Sequence, residues 1–375
     1  MKIVHILSCF MPDAGYQENY LVIGQKEIGN IVYIITSKYE WNFQINMNNR
    51  EYNYGTYDYY GVKVIRIPIL LEIKNRFVVF KNLYKYLEYI KPDMIFYHDH
   101  SPELLNCIRY VKKNPETRLV IDIHSTLENS MHSIFGGVYH KLLWRNIIKK
   151  IQKYYHKVFY IAPECKTFAI RIYKINENKL ELLPLPGDAS LMKDYHKIRK
   201  RIREKLNITE NEKIIFHTGK LPGQKYTLNV LEAFCEIDNV NYWLYLIGSI
   251  EESFLDTFNY YLNRNKRIKF LGWLKPDEMR ELFIAGDLLL QPGSLSNSFI
   301  DAICCGLPLI LKDTPQGKYL TKNNNGILLK DQSRDSIKKA VEYILKEKNL
   351  AKYKESALMS YDEFHYTNIA WRSVV

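Results

Sequence analysis

The chain has 375 residues, 47% of them hydrophobic, with 53 Lys and Arg against 41 Asp and Glu. That length and apolar content suit two packed domains, and no apolar run approaches the roughly 20 residues needed for a membrane-spanning helix. The net charge of +12 asks for an anionic partner: nucleic acid, an acidic lipid surface or an anionic substrate.

Taken in chain order, the first half alternates apolar strand-like runs with amphipathic helical stretches. Strands are expected at Lys2–Leu7, Ile31–Thr36, Val62–Ile67, Met94–Tyr97, Leu119–Ile123 and Val158–Ile161. The first run lacks a small-residue cleavage site, so it reads as a buried strand and not a secretory signal. The segment from Asn42 to Tyr60 is rich in Asn and Tyr and reads as an irregular excursion. His98-Asp99-His100 forms a strand-end loop. A lone H-x-H offers too few ligands, so no metal site is expected there. His124 directly follows a strand and precedes Ser125-Thr126.

From Val138 to Lys157 there are six Lys or Arg and no Asp or Glu. Lys141, Arg145, Lys149 and Lys153 recur every four positions beside an apolar stripe of Leu143, Ile147, Ile151 and Tyr154, with Trp144 nearby. This reads as a basic amphipathic helix suited to an anionic membrane surface. A second basic run, Lys197-Ile-Arg-Lys-Arg-Ile-Arg203, has no interleaved aromatics, so no nucleic-acid partner is expected. Six scattered cysteines without C-x-x-C spacing read as reduced core residues. The expected location is cytoplasmic, or peripheral on the inner face of the cell membrane.

Pro184 to Gly187 stops both flanking elements and marks a hinge. Beyond it, strands are expected at Lys213–Thr218, Trp243–Ile247, Ile268–Leu271, Leu288–Leu290, Leu307–Leu311 and Gly326–Leu329. The alternation predicts two doubly wound, Rossmann-like parallel sheets, an α/β fold. The run ending at Thr218 leads into Gly219-Lys220-Leu-Pro-Gly223-Gln-Lys225, and a helix is expected from Tyr226 to Glu236. Two cations on a Gly-bearing turn before a helix suit a diphosphate. Gly293-Ser-Leu-Ser-Asn-Ser298 offers a second helix start, with Ser296 or Asn297 as N-cap. Asp301, one turn further on, is placed to accept from a ribose diol. Neither a Walker A loop nor G-x-G-x-x-G is present here.

These residues carry a resemblance. Gly219-Lys220 with Lys225, Phe270-Leu-Gly272, Ala285-Gly-Asp287 with Gln291-Pro292, and Asp301-Ala-Ile-Cys-Cys-Gly-Leu-Pro308 resemble the motifs of family 4 retaining glycosyltransferases of the GT-B fold. Phe10-Met-Pro-Asp-Ala-Gly15, Ile121-Asp-Ile-His124 and Leu182-Leu-Pro-Leu-Pro-Gly187-Asp188 resemble its first loop, strand-His element and interdomain segment. Two departures stand out. The second acid of the family's pair is Asp301, and Gly293 occupies the position of the first. The loop's usual Arg is Lys220.

The resemblance implies an acceptor-side domain over residues 1–187 and a nucleotide-sugar domain over 188–355. A C-terminal helix over 356–375 would pack back on the first domain. It implies that His124, Lys220 and Lys225 act in catalysis, and that Gly15, Gly219, Ser296, Asn297, Ser298 and Asp301 hold the donor. The expected reaction moves a sugar from a nucleotide-diphosphate donor to a hydroxyl acceptor, a carbohydrate or a lipid-linked one, in surface polysaccharide or glycolipid assembly. No cofactor or metal is expected beyond the donor substrate. The alternative is a degenerate GT-B protein serving as a binding partner or scaffold.

Overall fold

Strands covered on both faces read as near-continuous apolar runs, and two sets of such runs build two sheets. The computed structural model describes residues 1–41, 50–52, 54–73, 77–131, 134–221, 225–294 and 298–375. The chain divides into two units. One holds Met1–Pro12, Glu18–Leu185 and Tyr366–Val375; the other holds Asp13–Gln17 and Pro186–His365.

The first unit contains β1 (Lys2–Ile6), β2 (Ile31–Ser37), β3 (Gly55–Tyr59), β4 (Val62–Ile67), β5 (Met94–His98), β6 (Arg118–Ile123), β7 (Lys157–Tyr160) and β8 (Leu180–Leu182). Their order is β8-β7-β6-β5-β1-β2-β4-β3. Every pairing is parallel except that of β3 with β4. The antiparallel edge corrects the reading of Asn42 to Tyr60 as irregular throughout; residues 42–49 and 53 of that stretch lie outside the described residues. Tyr59 pairs with Val62 across a two-residue turn, with positive φ at both Tyr60 and Gly61. That is a type I′ hairpin turn. A tyrosine in the left-handed conformation hides it from a composition-based reading.

The second unit contains β9 (Lys213–Leu221), β10 (Tyr242–Ile250), β11 (Ile268–Phe270), β12 (Leu288–Gln291), β13 (Leu309–Lys312) and β14 (Gly326–Leu329). The order is β11-β10-β9-β12-β13-β14, parallel throughout. In both sheets the order reverses beside the first strand, which places a switch-point crevice at the carboxyl ends of β1 and β5, and of β9 and β12.

The chain end is two helices, not one. Glu347–Ser360 belongs to the second unit, and only Tyr366–Ser373 lies in the first. There Ile369 is fully buried against Phe96, Val120 and Phe159.

The basic segment keeps most of its expected apolar stripe, with Ile151 buried and Ile147 and Tyr154 packed against the core, but departs from it at Leu143. It runs as a helix over Ile134–Val138, a π-turn over Tyr139–Trp144 and a helix over Arg145–Ile151. A π-turn takes an extra residue per turn, which rotates every later side chain around the axis. The core therefore receives Trp144, Ile148 and Ile151, while Leu142 and Leu143 stand 61% and 53% exposed. Cys107, Cys165, Cys304 and Cys305 are buried free thiols.

One buried carboxylate fixes the second unit. Asp287 Oδ1 accepts from Arg199 Nη2 at 2.8 Å, and Oδ2 accepts from Arg203 Nη1 at 3.3 Å and Ile214 N at 2.9 Å. Burial opposes the charge, yet the two guanidiniums and the Lys354 ammonium hold the carboxyl below its ordinary range. Removing one member of such a set strands the others in a low dielectric. Asp287→Ala is expected to lose about 3–5 kcal/mol of unfolding free energy, read from urea denaturation against the unaltered protein.

Candidate active site

In the second unit the site grows from a close backbone approach. Gly219 and Gly248 are paired across β9 and β10. Gly248 has φ of 138°, and a Cβ there would sit 1.8 Å from the Gly219 carbonyl oxygen. Gly219 has φ of 125°, and a Cβ on it would come within 2.7 Å of Lys225 Cε. Only glycine tolerates either position. The space they leave lets the Lys225 side chain lie back over the end of β9.

Lys225 is 6% exposed, and its Nζ donates to the Ser294 carbonyl. Burial pulls its ammonium down to about 8. Lys220 behaves differently. It falls inside β9, opposite Ser249, and its side chain is exposed. The strand thus continues three residues past the expected stop at Thr218.

Side chains lace β9 to β12. His217 Nδ1 donates to Leu290 O at 2.8 Å and its Nε2 accepts from Thr227 Oγ1 at 3.0 Å. Burial holds the ring neutral, down to about 4. Gln291 bonds the Thr218 backbone through both its amide atoms, and Thr218 Oγ1 lies 2.7 Å from Ser298 Oγ. Ser298 opens the helix Ser298–Cys304. Asp301, on the same helix, is 2% exposed, and its Oδ1 accepts from Asp188 N at 3.2 Å. Asp188 in turn pairs with Arg280 at 2.9 Å. The described residues of this unit thus bring together Gly219, Lys225 and Ser298, with Asp301 on the same helix. Ser296, Asn297 and Gly223 lie outside the described residues. The sequence does not single out His217 or Thr227, and it offers Gln291 only as part of a motif, because nothing in a single strand shows what its neighbour offers.

Gly15 has φ of 69° in the loop after β1, close behind Asp13 with φ of 57°, in the short stretch Asp13–Gln17 that belongs to the second unit. The remaining site residues lie in the first unit. His124 stands at the end of β6 with its side chain 36% exposed. Its Nε2 lies 3.1 Å from Asp122 Oδ2, and His98 Nδ1 lies 2.8 Å from the same oxygen. Asp122 Oδ1 accepts from Asp99 N at 3.1 Å. Burial works against both charges here. The Asp122 carboxylate nevertheless lifts His124 to about 9, helped by Asp99 and Glu18. The two imidazoles hold Asp122 far below the ordinary carboxylate range. Glu18 itself is pushed upward by burial.

The sequence places His98 in a strand-end loop with His100; the fold sets His98 against Asp122. His98, Asp122 and His124 also hold atoms of metal-ligating type within 4.8 Å of one another. At these distances the Asp122 carboxylate can accept a hydrogen bond from each imidazole. His100 turns away from them into a ring of Trp144, Tyr155 and Tyr173.

Residues 198–357 match the family described as glycosyl transferases group 1. An uncharacterized glycosyltransferase of Methanocaldococcus jannaschii is 23% identical over 308 residues, covering 76% of this chain and 74% of the relative. Among solved structures, Anabaena HepE in complex with UDP and glucose superposes with a TM-score of 0.70 at 14% identity, over 99% of this chain and 98% of that one. WaaG, a glycosyltransferase involved in lipopolysaccharide biosynthesis, gives 0.65 at 15% identity, over 99% and 98%. The fold that these likenesses define is the GT-B architecture.

Lys225 yields a test independent of any ligand. Its folded value near 8 lies below the 10.5 of a free lysine. Between those values the unfolded chain binds the proton and the folded one does not, so stability rises with pH across that window. Lys225→Met removes the group. The wild type should gain on this variant by roughly 3 kcal/mol from pH 7 to pH 10.5, measured by parallel urea titrations.

Proposed function

We propose that the protein is a retaining glycosyltransferase that moves a sugar from a nucleoside-diphosphate donor to a hydroxyl acceptor in surface polysaccharide or glycolipid assembly. The observation that carries this reading is the lysine pair at the switch point of the second sheet, inside the residues that match the family. When the glycosidic bond breaks, negative charge grows on the leaving diphosphate. Lys225 is already desolvated and tethered over Gly219, so it answers that charge without reorganising. Lys220 is the exposed partner that meets the incoming anion. Asp301 and Ser298, with Ser296 and Asn297, serve the ribose and phosphate, and Gly15 offers its backbone to a substrate.

A retaining transfer at the front face of the sugar asks for positioning and charge stabilisation more than for a strong protein base. His124, lifted to about 9, is charged at neutral pH and suits the role of donor to a substrate oxygen. With two lysines to balance the diphosphate, the reaction proceeds without a divalent cation.

The experiment is a thermal-shift panel of UDP-, GDP- and ADP-sugars, followed by transfer assays. A donor at about 100 times its Kd adds about 2.7 kcal/mol to stability. Lys220→Ala and Lys225→Ala are each expected to lower kcat/KM about 10²–10³-fold, and EDTA is expected to leave turnover intact. Donor binding without transfer to any acceptor would favour the scaffold reading. Turnover that collapses on chelation and returns with magnesium would overturn the metal-independent one.

The acceptor is lipid-linked in this reading, on the strength of the segment around the π-turn. Val138, Leu142 and Leu143 are exposed there beside exposed Lys141, Lys149, Lys150 and Lys153. Apolar side chains beside cations suit the boundary of an anionic bilayer. Each cation near such a surface contributes about 1 kcal/mol, screened over about 8 Å at physiological salt. Vesicles of anionic lipid should sediment the protein, less so as salt rises. A variant with Lys141, Lys149, Lys150 and Lys153 changed to Gln should stay in solution. Equal capture by neutral vesicles would sink the electrostatic part of the idea.

A further inference from the structure

The cluster at His124 does not end at His98. His98 Nε2 lies 3.0 Å from His5 Nδ1, and His5 Nε2 lies 2.7 Å from Gln25 Oε1. Gln25 Nε2 donates to Ser373 Oγ at 2.9 Å, and Ser373 Oγ donates to the Ala370 carbonyl at 2.7 Å. His5, Gln25, Asp122 and Ser373 are all fully buried. One continuous polar line thus runs from the helix Tyr366–Ser373, through the helix Gln17–Glu27 and strands β1 and β5, to the end of β6.

The line has a direction, set from its Ser373 end. Ser373 has a single hydroxyl hydrogen, and that goes to a backbone carbonyl, so its oxygen accepts from the Gln25 amide. The Gln25 carbonyl is left to accept from His5 Nε2–H. A neutral imidazole donates from one nitrogen only, so His5 Nδ1 offers a lone pair. His98 must then donate to it from Nε2. The Asp122 carboxylate only accepts, so His98 also donates from Nδ1. Burial together with the neighbouring His98 keeps His5 neutral, down at about 3, in agreement with that assignment.

We propose that Asp122 and His98 are positioning residues that hold His124 as a pure hydrogen-bond donor, its Nε2–H bound to Asp122 and its Nδ1–H free for a substrate oxygen, and that the relay through His5, Gln25 and Ser373 fixes the protons this pair carries. Among the described residues the charged groups facing His124 are Asp122 from β6, Asp99 from the turn after β5 and Glu18 from the helix Gln17–Glu27. His98 faces the far side of Asp122. The three carboxyl groups favour the imidazolium. The shared Asp122 oxygen fixes the ring plane. The buried relay keeps His98 from turning its lone pair toward Asp122, which would repel the carboxylate and free it to swing. The part played by the Nδ1–H of His124 rests on the glycosyltransferase reading above; the proton assignments do not.

The test uses the full-length protein with ¹⁵N-labelled histidine, followed by NMR over pH 5 to 10. In the wild type both His98 nitrogens should show N–H shifts at neutral pH, and His124 should titrate near 9. In Asp122→Asn the His124 midpoint should fall by two or more pH units, and kcat should gain a new alkaline limb at the lowered midpoint with KM little changed. In Gln25→Leu, His5 loses its acceptor and reverses its tautomer. His98 Nε2 should then move to the bare-nitrogen range, a shift that a merely structural role would not cause. If Asp122→Asn does not fold, the wild-type and Gln25→Leu spectra still decide. A wild-type His124 that titrates near 6.5, or a bare His98 Nε2 in the wild type, overturns the proposal. Spectra as expected in a protein that turns over no nucleotide sugar leave the relay standing and sink the functional reading instead.

Discussion

Parallel strands all end on one side of their sheet, and where the strand order reverses no connection covers those ends. Backbone and side-chain polar groups accumulate there because nothing apolar can be laid across them. Both units obey this constraint, and each puts its chemistry in the same place. In the first, His5, His98, Asp122 and His124 gather along β1, β5 and β6. In the second, Gly219, Lys225, Ser294 and Ser298 gather beyond β9 and β12. The surrounding hydrophobic packing serves to hold these strand ends at fixed spacing.

Burial then decides what each ionisable group can do. A charge moved from water into protein is costly unless partners compensate it. Asp287 and Asp122 are both buried carboxylates held below their ordinary range, but for different ends. Asp287 is closed on every side by Arg199, Arg203 and the Ile214 amide, so it fastens the helix Tyr195–Leu206 to the sheet and offers nothing outward. Asp122 is closed on its inner side only, and one of its two imidazoles, His124, reaches solvent. The first arrangement is structural. The second transmits a buried charge to a ring that can meet a ligand.

How much of this could be read from the chain alone depends on whether the signal is local. The apolar strands of both sheets were legible, because a strand buried on both faces writes its burial into consecutive residues. Gly219, Lys225 and Asp301 were legible as a loop-and-helix pattern. The Asp122–His98 pair was not, since its members lie 24 residues apart and meet only through the register that sets Asp122 opposite His98 across β6 and β5. Period-two alternation does put Asp122 and His124 on one face of β6, a clue the reading passed over. The π-turn at Tyr139–Trp144 was illegible for another reason. It changes the helical period itself, so a stripe counted at a constant 3.6 residues per turn drifts off the true face and assigns Leu143 to the core in place of Ile148.

The two lysines show why a shared motif does not imply a shared role. Lys220 sits in an extended strand where its side chain leaves the sheet, and it keeps its water. Lys225 follows a left-handed glycine whose missing Cβ makes room for the lysine stem, and it loses that water to the Ser294 carbonyl and the surrounding burial. An exposed ammonium attracts an anion from a distance but is screened and pays side-chain entropy to hold it. A desolvated one interacts strongly only with an anion that comes to it, and its cost was met when the chain folded. Hydration and desolvation are thus divided between two residues five positions apart, and the backbone conformation of Gly219 is what separates them.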